Sequence, residues 1–517
     1  MTEGGGRSAI CLALLCLLLG SSRASSRVIL DGKLDDDLGP KSKEAYVTLL
    51  YGESFVLGVR VLGQSIRDTQ TTRDLVLIVT GKISTASLRT LQMDGWRVKL
   101  VDEIANPGKG PQKTGFPDKF SSVYTKLSIF NLVEYTKAVY LDADTIMTHN
   151  SDALFKCPGF CAAMRHSERL NSGVMVVSPS HELYEDMVSK ITTLPSYTGG
   201  DQGFLNEYFH DFMNGPVFDP SKEYKGDEAK LKTMRLPTKY NADIGLYVIN
   251  SNRWMIPEED IRVVHFTLGP IKPWHWWASW IIKDIMMWKI YRKRLPRDSL
   301  GYSCGTTPSQ HYAKIFMMIL PVLFLALVAR RCLGKNGMSG FGSYNSPHIG
   351  GPCVNGKQII PRRFTGLSIF VGYLTLLLPV GLAIRLVPHQ IDSFWGWFLA
   401  YEWVLLGHYF LFGCYLGLCY RWGNRTAINA PPSQRGAFGP KPWKVTLKSA
   451  SMSTLWILIS PWLADMLFVQ NFITKVIATC VAAVIANVIL THVYASLPMR
   501  WFACGRSEGH VKSMDGV

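Results

Sequence analysis

Polar and apolar positions change rhythm along the chain. From Tyr46 to Tyr51 the residues run Tyr-Val-Thr-Leu-Leu-Tyr, a short apolar run of the buried-strand type. Helix-period residues follow from Phe55 to Ile66. The alternation then repeats, with a strand at Leu75–Val79, a helix over Thr85–Met93 and a strand at Arg97–Val101. A helix-period segment from Ser121 to Leu132 leads to a further strand at Ala138–Leu141. Strands alternating with helices predict an α/β fold, a largely parallel sheet with helices on both faces. Ligands of such sheets bind beyond the carboxyl ends of the strands. That rule points to Tyr51, Thr80 and the residues after Leu141.

Beyond about residue 300 the alternation gives way to five apolar stretches of spanning length, Ala313–Ala329, Gly366–Val387, Phe394–Tyr420, Ser451–Val469 and Ile473–Tyr494. A shorter apolar run, Ala9 to Leu19, follows Arg7 and precedes Gly20-Ser21-Ser22 and Ala24-Ser25-Ser26. It is too short to span a bilayer and reads as a signal peptide over residues 1–26, with an uncleaved anchor as the alternative. Either delivers the next segment to the lumen.

Composition sharpens this division. The chain carries a net charge of +16 and a mean hydropathy of +0.10. Residues 27–300 hold 35 Lys and Arg against 33 Asp and Glu, whereas residues 301–517 hold 18 against 5. The excess therefore lies among the apolar stretches, where it marks membrane-flanking loops and not a nucleic-acid surface. Arg330, Arg331, Lys335, Lys357, Arg362 and Arg363 follow the first stretch. Arg421, Arg425, Arg435, Lys441, Lys444 and Lys448 follow the third, and Arg500, Arg506 and Lys512 follow the fifth. The positive-inside rule puts these segments in the cytosol and everything before Ala313 in the lumen. The expected organisation is a lumenal α/β domain over residues 27–300 and a five-span membrane domain over residues 301–517 with cytosolic basic loops and tail. Of eleven cysteines, Cys157 and Cys161 form a C-x3-C in the lumenal part, open to a disulfide or to two free thiols.

The chemistry gathers at strand ends. Asp142-Ala143-Asp144 follows the strand ending at Leu141. Two carboxylates at i and i+2 can reach one hard divalent cation, which commonly bridges to substrate phosphates. The bland alternative is a solvated acidic turn. Three further segments weigh against it. Asn171-Ser172-Gly173 precedes an expected strand at Val174–Val177, Gly199-Gly200-Asp201-Gln202-Gly203 reads as a glycine-rich turn, and His265 ends a strand ahead of Gly269 and Lys272-Pro273-Trp274. A neutral imidazole can complete a metal site begun by two carboxylates, and Lys272 can neutralise a diphosphate.

In order and spacing these segments, with Ala45–Leu49 and Thr125-Lys126-Leu127, resemble glycosyltransferase family 8, whose best-known soluble member is glycogenin. The resemblance covers about residues 43–280. The C-terminal spans are similar to those of the plant glycogenin-like starch initiation group, one branch of which is similar to inositol phosphorylceramide glucuronosyltransferase. The resemblance implies a GT-A (Rossmann-like) fold, Mn²⁺, a UDP-sugar donor and retention of anomeric configuration. It implies Asp142, Asp144 and His265 as metal ligands. It implies nucleotide-sugar contacts at Leu49, Tyr51, Phe55, Ala143, Asn171, Ser172, Gly269 and Lys272, and activity-bearing groups at Lys126, Asp201 and Gln202. Phe55 stands where glycogenin has a tyrosine, Thr198 where it has an aspartate, and one extra residue separates His265 from Gly269. These differences bear on the donor sugar more than on the reaction.

The resulting expectation is a Golgi membrane enzyme moving a sugar, glucuronate by resemblance, from a UDP-sugar to a membrane acceptor such as inositol phosphorylceramide. Two other readings compete. Glu402, His408 and Asp465 lie within expected spans and could mark a transport path through a protein whose lumenal domain is inactive. A glycogenin-type self-glucosylating primer needs no polytopic anchor. The aromatic run Trp274-His275-Trp276-Trp277-Ala278-Ser279-Trp280 either packs internally or rests at the bilayer interface.

Overall fold

The computed structural model describes residues 40–106, 123–164, 169–269, 271–282, 285–333, 362–428, 443–467 and 472–514. The signal-peptide segment, residues 1–26, and the basic residues Lys335, Lys357, Arg435 and Lys441 lie outside them.

Five of the expected elements form with their limits within a few residues. They are strands β1 (Glu44–Leu50), β2 (Asp74–Val79) and β3 (Arg97–Leu100), with helices α1 (Val56–Asp68) and α2 (Thr85–Met93) between them. β1 and β2 are buried almost throughout, which is why they read as continuous apolar runs and not as alternation. Strands β4 (Lys137–Leu141), β5 (Thr145–Met147), β6 (Phe160–Met164) and β7 (Leu170–Val177) follow, then helices α3 (His181–Lys190) and α4 (Asp201–Tyr208). Strands β8 (Thr233–Leu236), β9 (Ala242–Asp243) and β10 (Val263–His265) complete the set, with helix α5 (Ile244–Ile249) after β9.

The main sheet has seven strands in the order β3-β2-β1-β4-β7-β6-β8. Chain order runs outward from β1 through β2 to β3, and resumes on the other side of β1 with β4. The crevice at this switch is where an open α/β sheet binds its ligand. The sheet is largely parallel, as expected, with a single reversed strand that makes it mixed. β3, β2, β1 and β4 are parallel, but β7 runs antiparallel to both β4 and β6. The consequence is local. Leu141 pairs with Val174, so the residues after β4 meet the residues at the start of β7. Asn171-Ser172-Gly173 therefore lies inside β7 and not ahead of the strand. A small second sheet, β5-β10-β9, pairs His265 with Thr145 and so brings the end of β10 beside the acidic turn.

Two other segments differ from expectation. Val123–Asn131 is a 3-10 segment whose residues Val123 to Phe130 are all buried; with no polar face, the apolar period could not fix the helix type. The glycine-rich segment opens a helix: Gly199 adopts φ 71°, Gly200 is the N-cap of α4, and Asp201 and Gln202 are its first residues.

After α6 (Ala278–Ile281) and α7 (Ile285–Lys293) the chain stays against the α/β layer, with Arg60 donating to Pro296 O at 2.9 Å. Five long helices follow, α8 (Pro308–Leu333), α9 (Arg362–Leu386), α10 (Ser393–Ile428), α11 (Trp443–Leu467) and α12 (Phe472–Met514). Among the described residues three are long and apolar enough to cross a membrane, Phe364–Leu386, Ser393–Thr426 and Ile473–Arg506. The first and fourth expected stretches fall on α8 and α11, whose side chains are described only in part. Phe370, Leu377, Val484 and Val488 are among many large apolar residues on the outer helix surfaces. Contiguous apolar surface of this kind is what lipid covers.

The helix ends sort into two levels. At one, the turn 387–392 between α9 and α10 and the start of α12 meet the α/β domain. Gln390 Nε2 donates to Ser54 O at 2.6 Å, Arg292 Nη2 to Gln390 O at 2.7 Å, and Lys475 Nζ to Trp280 O at 2.6 Å. Trp276 packs over Gly396, where an added Cβ would lie 2.3 Å from the indole. Trp274 and Trp276 are buried, so this part of the aromatic run is packing between domain and helices. At the other level Phe364, Trp422 and Phe502 cluster with ring centroids 5.0 to 5.8 Å apart. There Gly423 and Gly505 let α10 and α12 approach through their backbones.

Candidate active site

At the switch between β1 and β4 lies a cavity of about 390 Å³. Leu49 and Tyr51 reach it from the end of β1, Phe55 from the start of α1, and Lys126 from the buried 3-10 segment. Asp142, Ala143 and Asp144 follow β4, Asn171 and Ser172 start β7, and Asp201 and Gln202 open α4. His265 ends β10, with Gly269 and Lys272 beyond it. All fourteen residues expected from the sequence thus line one cavity. Thr198 and Gly200, from the glycine-rich segment, line it as well, as do Val123, Tyr140 and Thr267, which carried no separate sequence signal.

Asp142, Asp144 and His265 each offer one ligand atom, and these atoms lie within 4.8 Å of one another. His265 Nε2 is 3.3 Å from Asp144 Oδ1 and 3.7 Å from Asp142 Oδ2. The opposite side of the ring fixes its tautomer. Asn171 Oδ1 accepts from Gly173 N at 2.9 Å and from Asn241 Nδ2 at 3.0 Å. Asn241 therefore turns Oδ1 to His265 Nδ1, 2.9 Å away, and the imidazole donates there. When the ring is protonated, Nε2 donates to the two carboxylates; when it is neutral, Nε2 turns its lone pair to them. Three acceptor atoms converging without a proton between them are the donor set of a hard or borderline divalent cation. Gly173 is required by the same ring, since a Cβ there would lie 2.1 Å from His265 Cε1. Gly58 plays a matching part below, where a Cβ would meet Ala143 O at 2.5 Å and Trp274 at 2.7 Å.

Two lysines flank these three side chains. Lys272 Nζ lies 2.6 Å from Asp144 Oδ2 and donates to Phe266 O at 3.1 Å. Lys126 Nζ bridges Asp142 Oδ1 at 3.1 Å and Asp201 Oδ2 at 2.9 Å, and Ser172 Oγ donates to Asp201 Oδ2 at 2.8 Å. Burial opposes the Lys126 charge, but Asp142 and Asp201 outweigh it and raise the ammonium above its ordinary value. Burial likewise would raise Asp144, but His265 and Lys272 prevail and hold its carboxyl well below the usual range. Burial and the nearby Asp142 push the Tyr51 hydroxyl up to about 12, so it stays a neutral donor. Asp144 thus stays ionised and Lys126 charged. Asn241 belongs to this machinery and was missed in the sequence, because Asn-Ala-Asp has no motif spacing of its own.

Comparison with known proteins agrees with the geometry. The sequence profile described as glycosyl transferase family 8 matches residues 46–278. The chain is 38% identical over 506 residues to inositol phosphorylceramide glucuronosyltransferase 1 of Arabidopsis thaliana, covering 90% of this chain and 92% of that one. It is 34% identical over 277 residues to putative UDP-glucuronate:xylan alpha-glucuronosyltransferase 5 of the same plant, covering 50% of this chain and 44% of that one. It is 32% identical over 275 residues to Glycogenin-1 of Caenorhabditis elegans, covering 52% and 60%. The last two similarities cover about half of this chain, and the first covers 90% of it and so extends through the long helices. With its GT-A-like mixed sheet, its acidic turn after β4 and this agreement along the chain, the protein is a glycosyltransferase and belongs to glycosyltransferase family 8.

Proposed function

We propose that the protein is a retaining, Mn²⁺-dependent glucuronosyltransferase that moves glucuronate from UDP-glucuronate to inositol phosphorylceramide at the lumenal face of the Golgi membrane. The observation that carries this reading is the reach of the similarity. Among those compared above, the relative named for that acceptor matches 90% of this chain, catalytic domain and membrane helices together, and the other two match about half. Asp142, Asp144 and His265 would hold the cation, which supplies a positive centre for the charge that develops on the leaving diphosphate. Lys272 lies beside the same carboxylate and adds a second fixed charge for the phosphates. Lys126 holds Asp201 toward the cavity, where its carboxylate faces the sugar and stabilises an oxocarbenium-like centre. Gln202, held by Tyr197 through a 3.1 Å hydrogen bond, orients the sugar hydroxyls. Retention follows if the acceptor hydroxyl attacks from the face the diphosphate leaves. The paired Cys157 and Cys161 support a lumenal catalytic domain, since disulfides persist in oxidising compartments.

The test is a donor screen. The full chain, purified in detergent, is given inositol phosphorylceramide and a panel of UDP-sugars with and without Mn²⁺, and the lipid product is weighed by mass spectrometry. Transfer from UDP-glucuronate, abolished by chelator, is expected. Transfer from UDP-glucose in preference, or lipid left unmodified by every donor, would overturn the reading.

A further inference from the structure

The junction between the catalytic domain and the helices carries a cluster that the donor site does not use. His275 and Trp277 stack with ring centroids 4.6 Å apart. His389, from the turn between α9 and α10, stands edge-on to Trp277 at 5.1 Å and to His275 at 6.0 Å. The two segments are fastened together by their backbones, Trp276 N donating to His389 O at 3.1 Å. His389 is exposed, and His275 and Trp277 are partly so. The three rings therefore form an open polar-aromatic surface and not a sealed core.

Its position is tied to the donor cavity on two sides. Lys272, which lines that cavity, donates its backbone N–H to His275 Nδ1 at 3.4 Å. Gln390, next to His389, donates to Ser54 O, and the following residue Phe55 also lines the cavity. On the remaining side the helices begin. Phe394 and Phe398 are stacked and exposed on the first turns of α10. A surface with ring faces and imidazole and indole N–H groups beside a reaction site, bordered by exposed apolar helix, suits a molecule with a polyol phosphate at one end and hydrocarbon at the other.

We infer that His275, Trp277 and His389 form the binding site for the acceptor headgroup, the phosphodiester-linked polyol of a membrane lipid whose chains lie along α10. This rests on the reading that the acceptor is a membrane lipid. The polyol ring would stack on the Trp277 indole, and the imidazoles would donate to the phosphodiester oxygens. The Lys272 side then presents the polyol hydroxyls to the donor sugar.

Direct binding tests it without turnover. The full chain in detergent is titrated with inositol phosphorylceramide and, separately, with UDP. His389→Ala, at an exposed position, and Trp277→Phe, which keeps the packing, should each bind the lipid about tenfold more weakly, equivalent to about 1.4 kcal/mol, with UDP affinity unchanged. In turnover the loss should appear as a higher KM for the lipid at an unchanged KM for the UDP-sugar. Unaltered lipid affinity in both variants, equal loss of UDP affinity, or wild type that binds soluble inositol phosphate as tightly as the lipid would each overturn the assignment. Wild type that binds the lipid at this site but glycosylates it from no UDP-sugar would leave this inference standing and remove the proposed function instead.

Discussion

At the scale of single residues, the chemistry was legible where spacing is rigid and hidden where it is not. Two carboxylates two residues apart at a strand end announce themselves. Asn241 does not, because its value lies in what it touches across the fold. It orients His265 through a 2.9 Å hydrogen bond, and partners of this kind typically govern metal affinity by about 10- to 100-fold. Asn241→Ala should therefore weaken Mn²⁺ binding by about that factor, read from the metal dependence of transfer, while Lys272→Ala should leave the metal curve in place and raise the KM for UDP-sugar. Identical curves for the two variants would remove the separate roles. Asp144 gives a pH signature. Its carboxyl is more acidic in the folded protein than in the unfolded chain, since His265 and Lys272 overcome the effect of burial. The unfolded state then binds more protons, so Asp144 contributes stability above the unfolded pKa of about 4 and loses that contribution as the pH falls below it. Melting curves of wild type should steepen in their pH dependence below about pH 4, and those of Asp144→Asn should do so less.

At the scale of elements, the alternation of strands and helices gave the first half of the sheet within a residue or two, because β1 and β2 are short apolar runs bounded by polar turns. The direction of β7 was not legible. Periodicity is the same for a parallel and an antiparallel strand, and pairing of β4 with β7 is decided by contacts far apart in sequence. The missed direction is also what matters most, since it sets Gly173 against Asp142, whose backbone N–H donates to Gly173 O at 2.9 Å. The junction with α10 was likewise invisible, because a glycine within an apolar stretch does not reveal that an indole covers it. Gly396→Leu should force Trp276 off α10. Transfer to lipid should fall by about tenfold or more, the scale of an overpacked interface of 1–3 kcal/mol, while UDP binding stays at the wild-type value. Equal loss of both would mean that the helix contact supports the donor site itself.

At the scale of the whole molecule, basic residues in alternate loops predict one sense of insertion, and the helix ends fall at two levels. The turn 387–392 and Lys475 share the catalytic side, whereas Phe364, Trp422 and Phe502 share the other. In sealed microsomes a tag after Val517 should be digested and the region around Asp142 protected. The sequon Asn424-Arg425-Thr426, near the far end of α10, should carry no glycan, so Asn424→Gln should leave electrophoretic mobility unchanged. A glycan at Asn424 would reverse the orientation. The same junction also sets a height. Gln390, Arg292, Trp276 and Lys475 clamp the α/β domain to the helix ends at several separate points, so the cavity stands at a fixed level from those ends. A headgroup extended by one sugar presents its new hydroxyls above that level, out of register with the donor. The enzyme should therefore stop by itself after a single addition, unlike a primer that grows a chain on a flexible tether, and prolonged incubation should yield a lipid heavier by one sugar residue and no ladder beyond it.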